Sequence, residues 1–140
     1  MGNESQFSSR EARLTCSGSE FYDFITDMRN FGQFLPPSSA GGWHADADSC
    51  RFDAVPLGEV RMRIISKTPC ASVIFEGNIL SANTFRLVVS IADMQDGKSG
   101  VRLMMETDLN PVIRMMASGP IERFLETLVC EMEKFDGWKR

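Results

Sequence analysis

The chain is poor in the side chains that most often carry catalysis. It has one histidine, His44, and one tyrosine, Tyr22, among 140 residues. A general base is not expected at His44, because the strand pattern around it places this residue on the outward parity. The inward polar candidates are Tyr22, Asp27, Thr107 and Ser118, and each has a plain structural role available to it. The sequence therefore predicts no catalytic residue and no cofactor.

Cysteine is also sparse and scattered. The four cysteines, Cys16, Cys50, Cys70 and Cys130, are far apart and form no C-x-x-C pair. Zinc sites normally show closely spaced pairs of Cys or His ligands, which this chain lacks. The spacing predicts reduced thiols, most of them buried as small apolar side chains, and no metal site.

Long apolar runs and an excess of basic residues are both missing. No run approaches the roughly 20 apolar residues that a helix needs to cross a bilayer, so no membrane span is expected. Residues 1–5 lack the basic and apolar regions of a secretory signal, which favours a cytoplasmic location. Fifteen Lys and Arg stand against 19 Asp and Glu, a formal net charge of −4. Nucleic-acid binding, which needs a basic surface, is not expected.

The strongest pattern that is present is a one-sided helix near the C-terminus, over about residues 108–135. Its charged residues fill the positions between an apolar stripe with spacings of three and four, and such a stripe must pack against another surface. Asn110 and Pro111 predict the start of this helix. Gly119-Pro120 predicts a kink between a short first segment and a longer second one. The stripe consists of Ile121, Phe124, Leu125, Leu128, Val129, Met132 and Phe135.

The first third of the chain predicts a tail, a strand and two short helices. Residues 1–9 are polar and serine-rich, which is typical of a flexible tail. Alternation over residues 11–16 predicts a strand with one buried face. Ser17 and Glu20 have the spacing of a capping box, which predicts a helix over 18–29. A second helical turn over 30–35 is expected to stop before two prolines.

From residue 43 to residue 108 the hydrophobic period changes to two. The pattern divides into six strands of 5 to 9 residues joined by short turns, one of them the hairpin signal Asp96-Gly97. Charged residues fall on the outward parity in strand after strand, which fixes the register. This predicts an antiparallel meander with one wet face.

The order of one strand, two short helices, six strands and a long helix resembles the helix-grip fold of the SRPBCC superfamily. That superfamily includes START-like, birch-pollen-allergen-like and polyketide-cyclase proteins, and the resemblance covers residues 10–136. Residues 21–31 are similar to its first helix, where an aromatic residue leads to D-x-x-N, here Asp27 to Asn30. Three short matches mark the junction between the last strand and the long helix: Asp108-Leu109-Asn110-Pro111, Met115-Met116 and Pro120-Ile121.

The resemblance implies an α+β helix-grip fold in a single domain over residues 10–140. A curved, antiparallel, seven-stranded sheet (β-α-α-β6-α) would wrap around a long kinked C-terminal helix, with a hydrophobic cavity between them. The alternative is that the inward side chains fill this space as a packed core. The residues predicted to line the cavity are Trp43, Phe52, Met62, Ile64, Phe75, Phe85, Leu87, Val89, Leu103, Met105, Met115, Met116 and Phe124.

The leading hypothesis is a non-catalytic carrier or sensor that binds a hydrophobic small molecule, lipid-like, aromatic or polyketide-like, in this cavity. It rests on the continuous apolar inner parity and on the lack of catalytic groups. One alternative is a cyclase- or dehydratase-like enzyme acting on polyketide or aromatic substrates. Another is a protein-interaction module of the co-chaperone or ribosome-associated kind.

The outward parity of the strands carries charges of both signs. Glutamates are interleaved with arginines there, which favours a solvated mixed-charge face over an anion site. Met104, if it is exposed beside these arginines, would mark a face for a homodimer. The outward arginines are Arg61, Arg63, Arg86 and Arg102, and the glutamates are Glu59, Glu76 and Glu106.

Overall fold

The structure is a computed structural model that describes residues 4–35, 43–54, 58–79, 83–135 and 138. Two 3₁₀ helices, Met28–Phe34 and Gln95–Gly97, join the main elements. In chain order those elements are β1 (Glu4–Ser8), β2 (Ala12–Leu14), α1 (Gly18–Ile25), β3 (His44–Ala45), β4 (Ser49–Ala54), β5 (Gly58–Thr68), β6 (Ser72–Ile79), β7 (Asn83–Asp93), β8 (Ser99–Asp108) and α2 (Pro111–Lys134).

The strands form one antiparallel sheet of eight strands in the order β1-β8-β7-β6-β5-β4-β3, and β2 also pairs with β8. Neighbouring strands from β3 to β8 follow one another in sequence, so the predicted six-strand meander is confirmed. Asp96 and Gly97, at the tip of the last hairpin, both have positive φ, 62° and 70°, as a tight turn of this kind requires. The α+β helix-grip class predicted from the sequence is confirmed.

The N-terminal residues differ from the prediction. Residues 4–8 were expected in a flexible tail, but they form β1, which pairs with the C-terminal half of β8. The side chains of Ser5 and Phe7 are only 3% and 8% exposed. The tail prediction is wrong there because Phe7 falls on the buried parity, and serines do not prevent a strand from pairing. The predicted first strand is shorter, Ala12–Leu14, so the sheet has eight strands instead of seven.

The first helix begins at its predicted cap. The Ser17 hydroxyl accepts a hydrogen bond from the Glu20 N–H at 3.1 Å, and the Glu20 carboxylate accepts from the Ser17 N–H at 2.9 Å. This capping box satisfies two free N–H groups at the start of α1. The helix ends at Ile25, four residues earlier than predicted, and the following turn is a 3₁₀ helix capped by Asp27.

The terminal helix α2 is continuous. Asn110 caps it, because its side-chain oxygen accepts from the Ile113 N–H at 2.9 Å. Gly119 and Pro120 lie inside the helix instead of separating two segments, so the predicted interruption is wrong. A proline in a helix removes one hydrogen bond and can bend the axis, and the predicted kink at this point stays a prediction.

The sheet grips the second half of α2. Five side chains there are at most 1% exposed, those of Ile121, Leu125, Leu128, Val129 and Met132. The end of this half is closed by an aromatic cluster whose neighbouring ring centroids lie 4.8 to 5.8 Å apart. The cluster joins α1 and the 3₁₀ helix to the chain after α2, and its members are Phe21, Phe24, Phe34, Phe135 and Trp138.

A charged clamp fastens the same half of α2 from outside. The Arg10 guanidinium, in the connection between β1 and β2, donates to the Glu133 carboxylate at 2.7 and 2.9 Å and to Glu126 at 3.1 Å. The Arg13 main-chain N–H donates to Glu133 at 2.9 Å. These bonds hold the pKa of Glu133 at about 2, mainly through the Arg10 guanidinium.

The depressed pKa of Glu133 predicts a specific acid sensitivity. Its stabilising effect is fully present above the ordinary glutamate pKa of about 4.3 and is lost as the pH falls towards the folded pKa of about 2. We therefore expect the melting temperature of the wild type to fall more steeply between pH 4.5 and pH 2 than that of Glu133→Gln, measured by circular dichroism. Glu122→Gln, an exposed change on the same helix, is the matched control and should follow the wild type. Parallel curves for Glu133→Gln and the wild type would contradict the clamp.

Candidate functional site

The space between the sheet and α2 is apolar and almost filled. A void bounded by described residues has a volume of about 10 Å³, which is room for about one water molecule. It lies beneath the middle of α2, where the prediction placed a ligand cavity. Its lining consists of Val60, Met62, Ile79, Phe85, Leu87, Met105, Ile121, Phe124 and Leu125.

The lining overlaps with the predicted cavity residues only in part. Five of the predicted residues do line the void: Met62, Phe85, Leu87, Met105 and Phe124. The other four residues were missed in the predicted list. The two strand residues lie on the buried face of β5 and β6, and the two helix residues belong to the stripe that already marked α2 as amphipathic. Parity and helical spacing therefore carried the signal for all four.

Four other predicted residues are buried in the core around the void without lining it. Phe52, Phe75, Val89 and Leu103 are at most 1% exposed. The Phe52 ring stacks on that of Phe124 with the centroids 5.8 Å apart. These side chains fill the interior, so the structure realises the packed-core alternative at their positions.

Trp43 and Ile64 lie at the border of this core. Both are half-buried and pack against it. The Trp43 ring reaches Phe52 with the centroids 6.2 Å apart. Both side chains contact the core at its edge, near β3, which is the last strand of the sheet.

Met115 and Met116 do not face the interior, contrary to the prediction. They are 83% and 70% exposed. Successive helix positions lie about 100° apart, so the inward face of the first half of α2 is occupied by residues four apart. Ile113 packs against the core and Ala117 is buried. Together with Val112, which is 68% exposed, the two methionines form an outward apolar surface, called the Met surface below.

Among the described residues, the buried polar side chains are those of Ser5, Ser99 and Thr107. The Thr107 hydroxyl donates to the Thr84 carbonyl oxygen at 3.0 Å. None of the three titrates near neutral pH. Burial raises the pKa of the Cys16 thiol to about 11 and that of Cys50 to about 12, so both are protonated at neutral pH. This interior is suited to binding by apolar contact and offers no proton transfer from a described buried group.

The polar residues considered from the sequence take structural positions. Asp27 caps the 3₁₀ helix and pairs with Arg29 at 2.7 Å. The Ser118 hydroxyl donates to the Arg114 carbonyl oxygen at 2.6 Å. His44 is exposed on the outer face of the sheet, as its parity predicted.

The described ranges contain neither a candidate metal site nor a candidate membrane-spanning helix. No three His, Cys, Asp or Glu side chains in these parts of the chain lie close enough together to hold a metal ion. No described helix is both long and apolar enough to cross a membrane. The cytoplasmic location and the homodimer stay predictions.

Comparison with solved structures identifies the fold. A START superfamily protein from Mycobacterium smegmatis superposes with a TM-score of 0.68 at 10% identity, covering 92% of this chain and 94% of that one. The fold is the START-like helix-grip fold. Norcoclaurine synthase from Thalictrum flavum, solved with a transition-state analogue, gives 0.67 at 10% identity, with 94% and 97% covered. The Mll3558 protein from Rhizobium loti gives 0.60 at 16% identity, with 91% and 96% covered.

The likeness extends to architecture and no further. No family model matches the sequence, and no curated protein matches it at a significant level. Identities of 10% and 16% show the fold alone, and one fold carries many activities. Function must therefore be argued from the residues of this chain.

The two faces of α2 make a direct stability prediction. Met115→Gln and Met116→Gln should each change the free energy of unfolding by less than about 0.5 kcal/mol, because both side chains are exposed. Leu125→Ala should lower it by about 2–5 kcal/mol, because the side chain is 1% exposed and lines the void. Urea denaturation measures all three. A loss above about 2 kcal/mol for either methionine variant would place that side chain in the core after all.

Proposed function

We propose that the protein binds a hydrophobic small molecule between the sheet and α2, as a non-catalytic carrier or sensor. The ligand would be lipid-like, aromatic or polyketide-like. It would enter beneath the first half of α2 and occupy the space that Leu87, Met105 and Phe124 now border.

The chemistry of the lining supports an apolar ligand. All nine side chains around the void are aliphatic, aromatic or thioether groups. Two of them are the methionines Met62 and Met105, and methionine adapts its shape to irregular partners at low cost. A polar ligand would lose its hydrogen bonds to water here without replacement, whereas an apolar one gains by burial.

The unequal anchoring of α2 is the observation that carries the proposal. The second half is held by five fully buried side chains and by the Arg10 clamp. The first half contributes Ile113 and Ala117 to the interior and turns the Met surface to solvent. Few buried apolar contacts mean a low free energy of local opening, so this half is the part of the helix that can move.

A movement of this half is required, because the void of about 10 Å³ holds no organic ligand. Gly119 lies at the boundary between the two halves, next to Pro120. A Cβ at Gly119 would meet only the end of the Arg123 side chain, at 3.5 Å, so the position has open space around it. The glycine and the proline together make the boundary the weakest point of the helix.

The solved structures of the same fold are compatible with this use. Norcoclaurine synthase is solved with a transition-state analogue, so the fold can accommodate a small molecule. Its reaction is not transferred to this chain, because the identity is 10% and the buried groups described here include no carboxylate, imidazole or amine.

The proposal is tested with N-phenyl-1-naphthylamine, a neutral apolar probe whose fluorescence rises on burial. We expect the wild type to bind it with saturation. Ile113→Ala should speed association and dissociation at least about threefold, because Ile113 closes the interior beneath the first turn of α2. Stopped-flow fluorescence measures both rates.

Val112→Ala is the matched control, since its side chain lies next to Ile113 in sequence but is 68% exposed. Its rates should equal those of the wild type. The proposal is wrong if the wild type does not bind the probe and native mass spectrometry of the purified protein finds no bound lipophile. Equal rates in all three proteins would reject entry beneath α2.

A further inference from the structure

The outer face of the sheet carries a second concave feature, a groove of about 620 Å³. This volume is within the range of small-molecule sites. The groove, called the outer groove below, lies on the side of the sheet opposite to α2. It is lined by His44, Ala45, Asp46, Ser49, Cys50, Arg51, Arg61, Met62, Arg63, Glu76, Gly77, Asn78 and Thr84.

Strand register places one line of polar side chains across this groove. His44 pairs with Arg51, Arg51 with Arg61, Arg61 with Asn78, and Asn78 with Thr84, across β3 to β7. All five residues are exposed on the outer face. None carries a negative charge.

The neighbouring line differs because its charges alternate and are paired. Arg63 and Arg86 contact the Glu76 carboxylate at 3.4 and 3.5 Å from the two sides. Glu106, the next residue in register, accepts from Gln6 at 3.2 Å. The mixed-charge face predicted from the sequence is present in this line.

In the line that runs from His44 to Thr84, some hydrogen-bond donors have no described partner. Arg61 donates to Glu59 at 2.8 Å, but Arg51 has no hydrogen bond or ion pair to any residue the structure describes. The Thr84 hydroxyl donates to the side-chain oxygen of Asn78 at 3.4 Å. That bond leaves the NH₂ group of Asn78 without a described partner.

The acceptors in the groove are already occupied. The Asp46 carboxylate accepts from the Asp48 N–H at 2.9 Å and from the Ser49 N–H and hydroxyl at 2.8 and 3.1 Å. The Glu76 carboxylate binds two arginines, as described above. Both carboxylates that line the groove are therefore occupied, whereas the Arg51 guanidinium and the Asn78 NH₂ keep N–H groups whose natural partner is an anionic oxygen.

The charges that line the outer groove also favour an anionic ligand. Three arginines and two carboxylates line the groove, in a chain whose net charge is −4. Arg51 and Arg61 are directly opposite each other on adjacent strands, and like charges in that position destabilise a sheet. Asp53 and Glu59 lie in the next line and do not line the groove. The Glu59 carboxylate, which binds Arg61 and whose pKa is lowered first by Arg61 and also by the charge of Arg51, offsets part of this repulsion. An anion between the two guanidinium groups would relieve the part that remains.

We propose that the outer groove binds the phosphate or carboxylate group of a small molecule. Arg51 is its principal ligand, with Arg61 and the Asn78 amide on the same line. The guanidinium group is planar and donates two parallel hydrogen bonds, which suits both oxyanions. The outer groove shares only Met62 with the lining of the interior void, and none of the three proposed anion ligands lines that void. This proposal therefore does not depend on the proposed function.

Amide NMR titration of the intact protein tests the proposal. Inorganic phosphate and acetate are titrated separately, each against chloride at equal ionic strength. We expect one or both to shift the amide signals of Arg51, Arg61 and Asn78 with saturation. A phosphate-only response assigns the site to phosphate compounds, and an acetate-only response assigns it to carboxylic acids.

Arg51→Gln should weaken binding about tenfold or more, because it removes a charged donor pair. Arg102→Gln, which removes an exposed arginine of the same face outside the groove, should bind as the wild type does. Unchanged signal dispersion verifies that both variants are folded. The proposal is overturned if neither anion exceeds chloride, or if both variants lose binding equally.

Discussion

The structure depends on the burial of the apolar stripe of α2 against the inner face of the sheet. Fully burying a side chain such as Ile121, Leu125 or Leu128 contributes about 1.5–3 kcal/mol. Such contacts are made by the second half of the helix, and Arg10 adds two carboxylate pairs on the same half. The strands depend on the helix in turn, because Phe52 of the sheet stacks on Phe124 of α2. Phe31 of the 3₁₀ helix covers a further part of the inner face, at Phe52 and Phe75.

The proposed function depends on where this grip ends. Beyond Gly119 towards the N-terminus, α2 contributes Ile113 and Ala117 to the interior, while the Met surface faces water. A helix held more firmly in one half than in the other could open an apolar interior without unfolding. Under the proposed function, packing and ligand access would then be assigned to different halves of one helix.

The elements were predictable where local chemistry alone decides them. Ser17 and Glu20 fixed the start of α1, Asn110 the start of α2, and Asp96-Gly97 the last hairpin. The inward parity of the strands also predicted four of the nine residues around the void, and helical spacing predicted a fifth, Phe124. These features need only residues that are close in sequence or alternate regularly.

What could not be predicted depends on long-range neighbours. β1 exists because Phe7 pairs along β8 about a hundred residues away, and nothing local distinguishes it from a polar tail. Met115 and Met116 appeared inward because they are apolar, but Ile113 and Ala117 occupy the inward helix positions. Arg51 is not among the outward arginines predicted from the sequence, and its position opposite Arg61 depends on the pairing of β4 with β5. The alternation of a strand shows which face each residue is on, but its partner on the next strand and the rotation of a helix are set by the assembled sheet.

Hydrogen exchange along α2 tests the central claim of a helix gripped at one end. Amides 115–119 and 124–132 are compared by mass spectrometry, since the first turn lacks internal hydrogen bonds in any helix. We predict that amides 115–119 exchange at least about tenfold faster, and that N-phenyl-1-naphthylamine slows them selectively. Equal protection in both halves, unchanged by the probe, would contradict the account.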